Sequence, residues 1–323
     1  MNEVLLSKDV LVYLFSESLL FILLFIAFLV SVKVYFKWDF NSFTPSQFKL
    51  EQESYLVTTI AYFIFIMKFF LILYFAFTVD KLSILVAGAM CGAGVIQANS
   101  YGDYLLILKL SILFGLTLWF YLNKYDLESK NYQWFKEKSV LFIFLFLFIL
   151  AELYLDFSYF INIDTHQPVS CCSSLFGQLE GANPLPFGLN IVTLLTLFYL
   201  LFIVVVLTLL LNQTYLYILS NLLFLYIAYY ALVYFFGTYI YQLPTHKCPF
   251  CMLQKEYYYV GYALWFSLFI GSFIGINGAI SSIWLKEESS LRGRKTALLL
   301  LSFFLFLCSA YVLVYYFRNG VLL

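Results

Sequence analysis

The chain predicts an all-α, polytopic bundle of membrane-spanning helices. Three observations carry that expectation. The chain is 63% hydrophobic over 323 residues. Only 11% of it is charged, against about 25% in a soluble domain. The apolar residues also come in runs near the ~20 residues that cross a bilayer as helix. So little polar surface cannot cover a globule in water. Zero formal net charge provides no basic field for nucleic acid.

About nine apolar runs are countable, at 11–36, 55–79, 82–98, 104–122, 139–162, 188–211, 214–237, 256–284 and 297–317. They are read as one membrane-embedded domain, 1–323, with an N-terminal four-helix part (1–138) and a C-terminal part (139–323). The first run is too long for a signal-peptide core and lacks a small-residue cleavage site. The run 256–284 is long enough to tilt or break near Gly271, Gly275 and Gly278. Asn212-Gln213-Thr214 matches a glycosylation sequon but falls in a turn expected on the cytoplasmic side. The 22% aromatic content exceeds what interfacial belts need and is read as packing.

Orientation follows from Lys and Arg in the loops. Lys124, Lys130, Lys136 and Lys138 mark one loop, and Lys286, Arg292, Arg294 and Lys295 another. Nine alternating spans put both in the cytoplasm together with the N-terminus. The segments 163–187 and 238–255 then fall on the outer face of a bacterial inner-type membrane.

The early runs carry two features. Ala87-Gly88-Ala89-Met90-Cys91-Gly92-Ala93-Gly94 reads as a small-residue stripe that lets helices approach closely, with Cys91 as a small hydrophobe within it. Glu17, Lys68, Lys109 and Glu152 interrupt apolar runs. Each is costly in hydrocarbon and must face the bundle or a wet cavity. They fit a proton or quinone-headgroup site, or else a structural Lys–Glu pairing. Lys68, with Gln97 and Asn99 of the adjacent polar turn, are the candidate quinone-binding residues.

The outer loops carry the chemistry. The two histidines and four of the six cysteines lie in Thr165-His166-Gln167-Pro168-Val169-Ser170-Cys171-Cys172 and Thr245-His246-Lys247-Cys248-Pro249-Phe250-Cys251. The segments align at a constant offset of 80 residues (246 − 166, 251 − 171), consistent with duplicated helical hairpins framing a central site. Cys248 precedes a helix expected near Tyr257, with His246 and Lys247 beside it. Helix-end amides and cations stabilise a thiolate in such a place. A disulfide within the vicinal Cys171-Cys172 pair would be strained and easily reduced; alternatively each thiol pairs with a partner in the other loop.

Thiol–disulfide exchange would therefore use Cys248, Cys251, Cys171 and Cys172, with His246 and His166 managing protons. The metal alternative uses His166, Cys171, Cys172, His246, Cys248 and Cys251, with Met252 nearby, and suits Cu(I) or Zn. Covalent haem is disfavoured because Met252 stands where C-x-x-C-H needs histidine. A third alternative is a non-enzymatic subunit of a membrane complex with structural disulfides only.

On these residues the chain resembles membrane thiol oxidoreductases of the DsbB and vitamin K epoxide reductase type. The resemblance implies a quinone beside Cys248 and Cys251, and a shuttle role for Cys171 and Cys172 toward an extracytoplasmic thiol protein. The vicinal pair is also similar to that of mercury-transport membrane proteins, although theirs lies within a membrane helix. On the metal alternative the partner would be a metal-carrying protein.

Overall fold

The computed structural model describes residues 3–39, 42, 44–128, 134–169, 185, 188–285 and 291–323. Among them there is no strand, and eight helices are long and apolar enough to cross a membrane. These are α1 (Lys8–Lys37), α2 (Pro45–Leu82), α3 (Tyr101–Glu128), α4 (Phe135–Ile161), α5 (Ile191–Leu210), α6 (Thr214–Tyr241), α7 (Val260–Leu285) and α8 (Leu291–Asn319). Even the shortest, α5 with 20 residues, spans about 30 Å at 1.5 Å per residue. Large side chains such as Ile22, Phe148 and Leu207 stay exposed on their outer faces, as lipid contact requires. The protein is an integral membrane protein.

The expected third span, 82–98, is corrected. Turns fill most of it, and only Gly92–Ile96 is helical. Glycine is a poor helix former because its backbone loses the most freedom on ordering, and Gly88, Gly92 and Gly94 fall within eight residues. The segment is held by a loop instead. Val169 donates its N–H to the Ala87 carbonyl at 2.9 Å. Gly88 adopts φ +79°, and a Cβ there would lie 2.7 Å from the Val169 oxygen. The small residues do permit a close backbone approach, but to a loop rather than to a helix.

Two compact units result. The first comprises residues up to Val86 together with Ile96–Gln167. In it α1 packs against α2 and α4, and α3 packs against both α2 and α4. Its interior is unusually charged: Glu17, Lys68, Lys109, Glu152 and Asp156 are all buried. Further along, Lys138 is buried against Asp126 at 2.6 Å.

The second unit comprises Ala87–Val95 and Pro168–Leu323. Asn190 caps α5 by accepting the Thr193 N–H at 2.8 Å. Asn212 turns α5 into α6 with φ +54°, a conformation that asparagine tolerates better than most residues. Within α6 the stretch Leu232–Phe236 is a π-turn. Gln242, left-handed at φ 55°, ends the helix and releases the chain into the cysteine loop. The expected break in 256–284 does not occur, since α7 is continuous. Gly271 and Gly275 serve close packing there: a Cβ at Gly275 would lie 2.6 Å from the Tyr217 hydroxyl and from the Asn221 amide nitrogen.

Candidate thiol site

The loop after α6 is fastened from below by aromatic side chains. The Tyr241 hydroxyl donates to the Cys248 carbonyl and accepts the Met252 N–H at 3.1 Å. The Trp265 indole donates to the Pro249 carbonyl at 3.0 Å. Cys251–Leu253 forms one 3-10 turn, closed as Gln254 donates to the Cys251 carbonyl at 3.0 Å. Met252 is buried against Gly261, where a Cβ would meet its Cγ at 2.5 Å. Two tightly packed residues and two aromatic hydrogen-bonding groups thus fix where the cysteines stand.

The third thiol comes from the segment that was expected to be a span. The Met90 carbonyl accepts a hydrogen bond from the Gln254 amide at 3.3 Å. This brings Cys91 against the loop, with its Sγ 3.4 Å from that of Cys248. The sulfurs of Cys91, Cys248 and Cys251 all lie within 4.8 Å of one another, and none of the three is in a disulfide. Cys91 and Cys248 are 0% exposed and Cys251 is 6% exposed. The reading of Cys91 as a packing hydrophobe is incomplete: it is packed, but packed onto two other sulfurs. The available signal was the glycine-rich run itself, which argues against a helix and for a structured turn.

His246 is half-buried, with its ring 4.4 Å from that of Tyr241. Burial lowers its pKa below the ordinary imidazole range, with the neighbouring Cys91 opposing the shift. The imidazole is therefore neutral at pH 7 and supplies no cation to Cys248. It is not among the atoms lying within 4.8 Å of one another. Lys247 points its ammonium at the Tyr234 ring, 5.2 Å from the centroid. The following helix starts at Val260, not at Tyr257. Lys255–Tyr257 is a 3-10 turn ahead of it, so the α-helix begins three residues later than expected.

Cys171 and Cys172 are outside the described residues. His166 is exposed in the first unit, with its N–H on the Asp164 carboxylate at 2.9 Å. Asn99 donates to the Tyr159 carbonyl at 2.9 Å and accepts from the Tyr101 N–H at 3.0 Å, so it caps the start of α3. Gln97 is exposed beside it. Lys68 is buried between Glu17 and Glu152, 2.6 Å from each. The fourth described cysteine, Cys308, is buried in α8.

Compared with protein-family models, with curated proteins and with solved structures, the chain matches none.

Proposed function

We propose that the second unit binds a soft metal ion, Cu(I) or Zn(II), through Cys91, Cys248 and Cys251, for transport or for delivery to a metal-carrying protein. The supporting observation is the convergence of three buried sulfurs within 4.8 Å. Zn–S bonds of about 2.3 Å in a tetrahedron set sulfurs about 3.8 Å apart, within the spacing seen here. Thiolates select Cu(I) and Zn over oxygen-seeking ions. His246 and Met252, on the same loop as Cys248 and Cys251, are further donors of suitable softness. Full burial of Cys91 and Cys248 also argues against direct exchange with an external protein dithiol.

Span counting supports an outer-face location. Eight alternating crossings put the segments 83–100, 162–190 and 242–259 on one side. Of the 18 Lys and Arg residues, eleven fall in or beside the loops of the opposite side, five on the site's side, and Lys68 and Lys109 lie within the helices. The basic side is cytoplasmic. This distribution is more lopsided than the nine-span reading allowed, and it moves the Lys8 end of α1 to the outer face.

The decisive experiment loads the purified full-length protein with Cu(I) or Zn(II) and counts alkylatable thiols beside bound metal. One ion per chain, with three cysteines protected together, is expected. Unchanged alkylation of all six cysteines under excess metal would overturn the reading.

The Cys91–Cys248 contact favours a second reading, thiol–disulfide exchange. With Cys248–Cys251 oxidised, the Cys91 thiolate would attack the Cys248 sulfur, form the Cys91–Cys248 bond and release Cys251 as a thiolate. That exchange is redox-neutral; a partner-facing Cys171/Cys172 dithiol would next reduce the Cys91–Cys248 bond to two thiols while itself closing to a disulfide, and a quinone, reduced to quinol, would take the two electrons as the Cys248–Cys251 bond re-forms. Non-reducing mass spectrometry of freshly isolated membranes separates the two readings, because only exchange predicts a Cys248–Cys251 or Cys91–Cys248 linkage.

A further inference from the structure

The first unit has a charged interior of its own. Four helices meet there: α1 contributes Tyr13 and Glu17, α2 Lys68, α3 Lys109, and α4 Glu152 and Asp156. Lys68 donates to Glu17 Oε2 and Glu152 Oε2, both at 2.6 Å. Lys109 donates to Glu152 Oε1 at 2.7 Å, Asp156 Oδ2 at 3.0 Å and the Tyr13 hydroxyl at 2.6 Å. Each of these groups is at most 4% exposed.

Two counts of this network agree. By charge, three carboxylates face two ammoniums, leaving one negative charge in excess inside a bilayer, where an unbalanced charge is expensive. By hydrogen bonds, Glu152 has an ammonium on each oxygen, whereas Glu17 and Asp156 each have one oxygen without an ammonium. Those oxygens, Glu17 Oε1 and Asp156 Oδ1, both meet the Tyr13 hydroxyl at 3.2 Å. The Tyr13 oxygen also lies 3.1 Å from Asp156 Oδ2. Tyr13 has one hydrogen to donate and already accepts from Lys109. One more hydrogen is needed, on one of the two acids.

We propose that this network is a binding site for one proton, shared between Glu17 and Asp156 through the Tyr13 hydroxyl. The oxygens of Glu17, Glu152 and Asp156 converge within 4.8 Å, close enough to hold a metal cation. Two ammoniums already occupy the same oxygens, however, and would repel it; a proton fits where a cation does not. On α4 the network also stands close in sequence to a cleft. Asp156 lies about 9 Å along the helix axis, at 1.5 Å per residue, from Asn162. There a 430 Å³ cleft opens, lined by Glu3, Asn162, Asp164 and His166 among others. Tyr159 and Phe160, both 0% exposed, separate the two.

The test is infrared difference spectroscopy of the full-length protein in lipid nanodiscs, with carbonyl-labelled Asp or Glu identifying the acids. The wild type is expected to show one protonated-carboxyl band near neutral pH that shifts in deuterated water. Glu17→Gln and Asp156→Asn should each abolish it, because either leaves two acids facing two ammoniums. No such band in the wild type would overturn the proposal, as would a band that persists in both variants. A band appearing only after sodium or divalent ions are removed would overturn it in favour of a bound cation. If the variants fail to assemble, the labelled wild type alone decides, since its band is either present or absent.

Discussion

The sulfurs of Cys91 and Cys248 lie 3.4 Å apart although 157 positions separate them in the chain. Such a contact between two fully buried thiols is held by the backbone on both sides: Gln254 on the Met90 carbonyl and Tyr241 on the Cys248 carbonyl. Cys91→Ser should therefore weaken Cu(I) or Zn(II) binding as severely as Cys248→Ser, by more than the roughly 10–100-fold typical of losing an outer-shell partner. Cys308→Ser, which removes a thiol outside the cluster, should leave affinity unchanged. Competition against a chromophoric chelator measures all three.

Metal binding should release protons and weaken as pH falls, because thiol ligands must deprotonate. His246 adds a distinct contribution to stability. Its folded pKa is lowered by burial, so below the ordinary imidazole pKa of about 6.5 the unfolded chain binds more protons than the folded one, and stability falls as pH drops. His246→Ala should flatten the slope of thermal midpoint against pH between about 7 and 5. An unchanged slope would show that the imidazole is not the group responsible.

The fold class was legible from run length and charge scarcity, and eight of the nine expected runs are helices. The ninth failed for a local reason: 82–98 is apolar enough to count as a span, but its glycines suit a tight turn. That error hid Cys91. Under the orientation proposed above, one span fewer also reverses the side of everything before it. Glu17, Lys68, Lys109 and Glu152 stood out as charges in apolar runs, yet their pairing needed three dimensions. Tyr13 and Asp156 were overlooked although each lies four residues from a member already noted, on the same helix face. The loop histidines were grouped on their rarity and on the 80-residue offset of their segments; His166 belongs to the first unit and His246 to the second.

Gly88 tests the turn. Gly88→Ala combines a positive φ with a Cβ 2.7 Å from the Val169 oxygen. Strain of this kind costs of order 1–3 kcal/mol. The variant should melt lower and bind metal more weakly, because the displaced backbone carries Cys91. Gly320→Ala is the matched control: φ is +71° with nothing within 4 Å, so only the conformational strain applies and metal affinity should hold.

Single cysteines introduced at exposed positions test the topology. The background carries Cys171→Ser and Cys172→Ser, since the remaining native cysteines are buried. With eight spans, Lys8→Cys and Tyr258→Cys should react with an impermeant maleimide in intact cells, and Lys124→Cys only after permeabilisation. Protection of Lys8→Cys in intact cells would restore an odd number of crossings before the cysteine loop.

The buried network should respond asymmetrically to loss of its acids and its bases. Lys68→Met leaves Glu17 and Glu152 with an uncompensated negative charge, and breaking a buried pair from one side costs about 3–5 kcal/mol. Glu17→Gln removes an acid from a network that already holds one too many. The amide keeps a hydrogen-bonding group beside Lys68 and Tyr13, so the cost should be well below that of Lys68→Met. The double variant Glu17→Gln/Lys68→Met has two acids left with one base. Its excess is one acid, as in the wild type, so it should recover part of the stability lost in Lys68→Met. Thermal unfolding in a single detergent ranks the four proteins. Equal destabilisation by Lys68→Met and Glu17→Gln would indicate a network already balanced in charge, with no place for the extra proton.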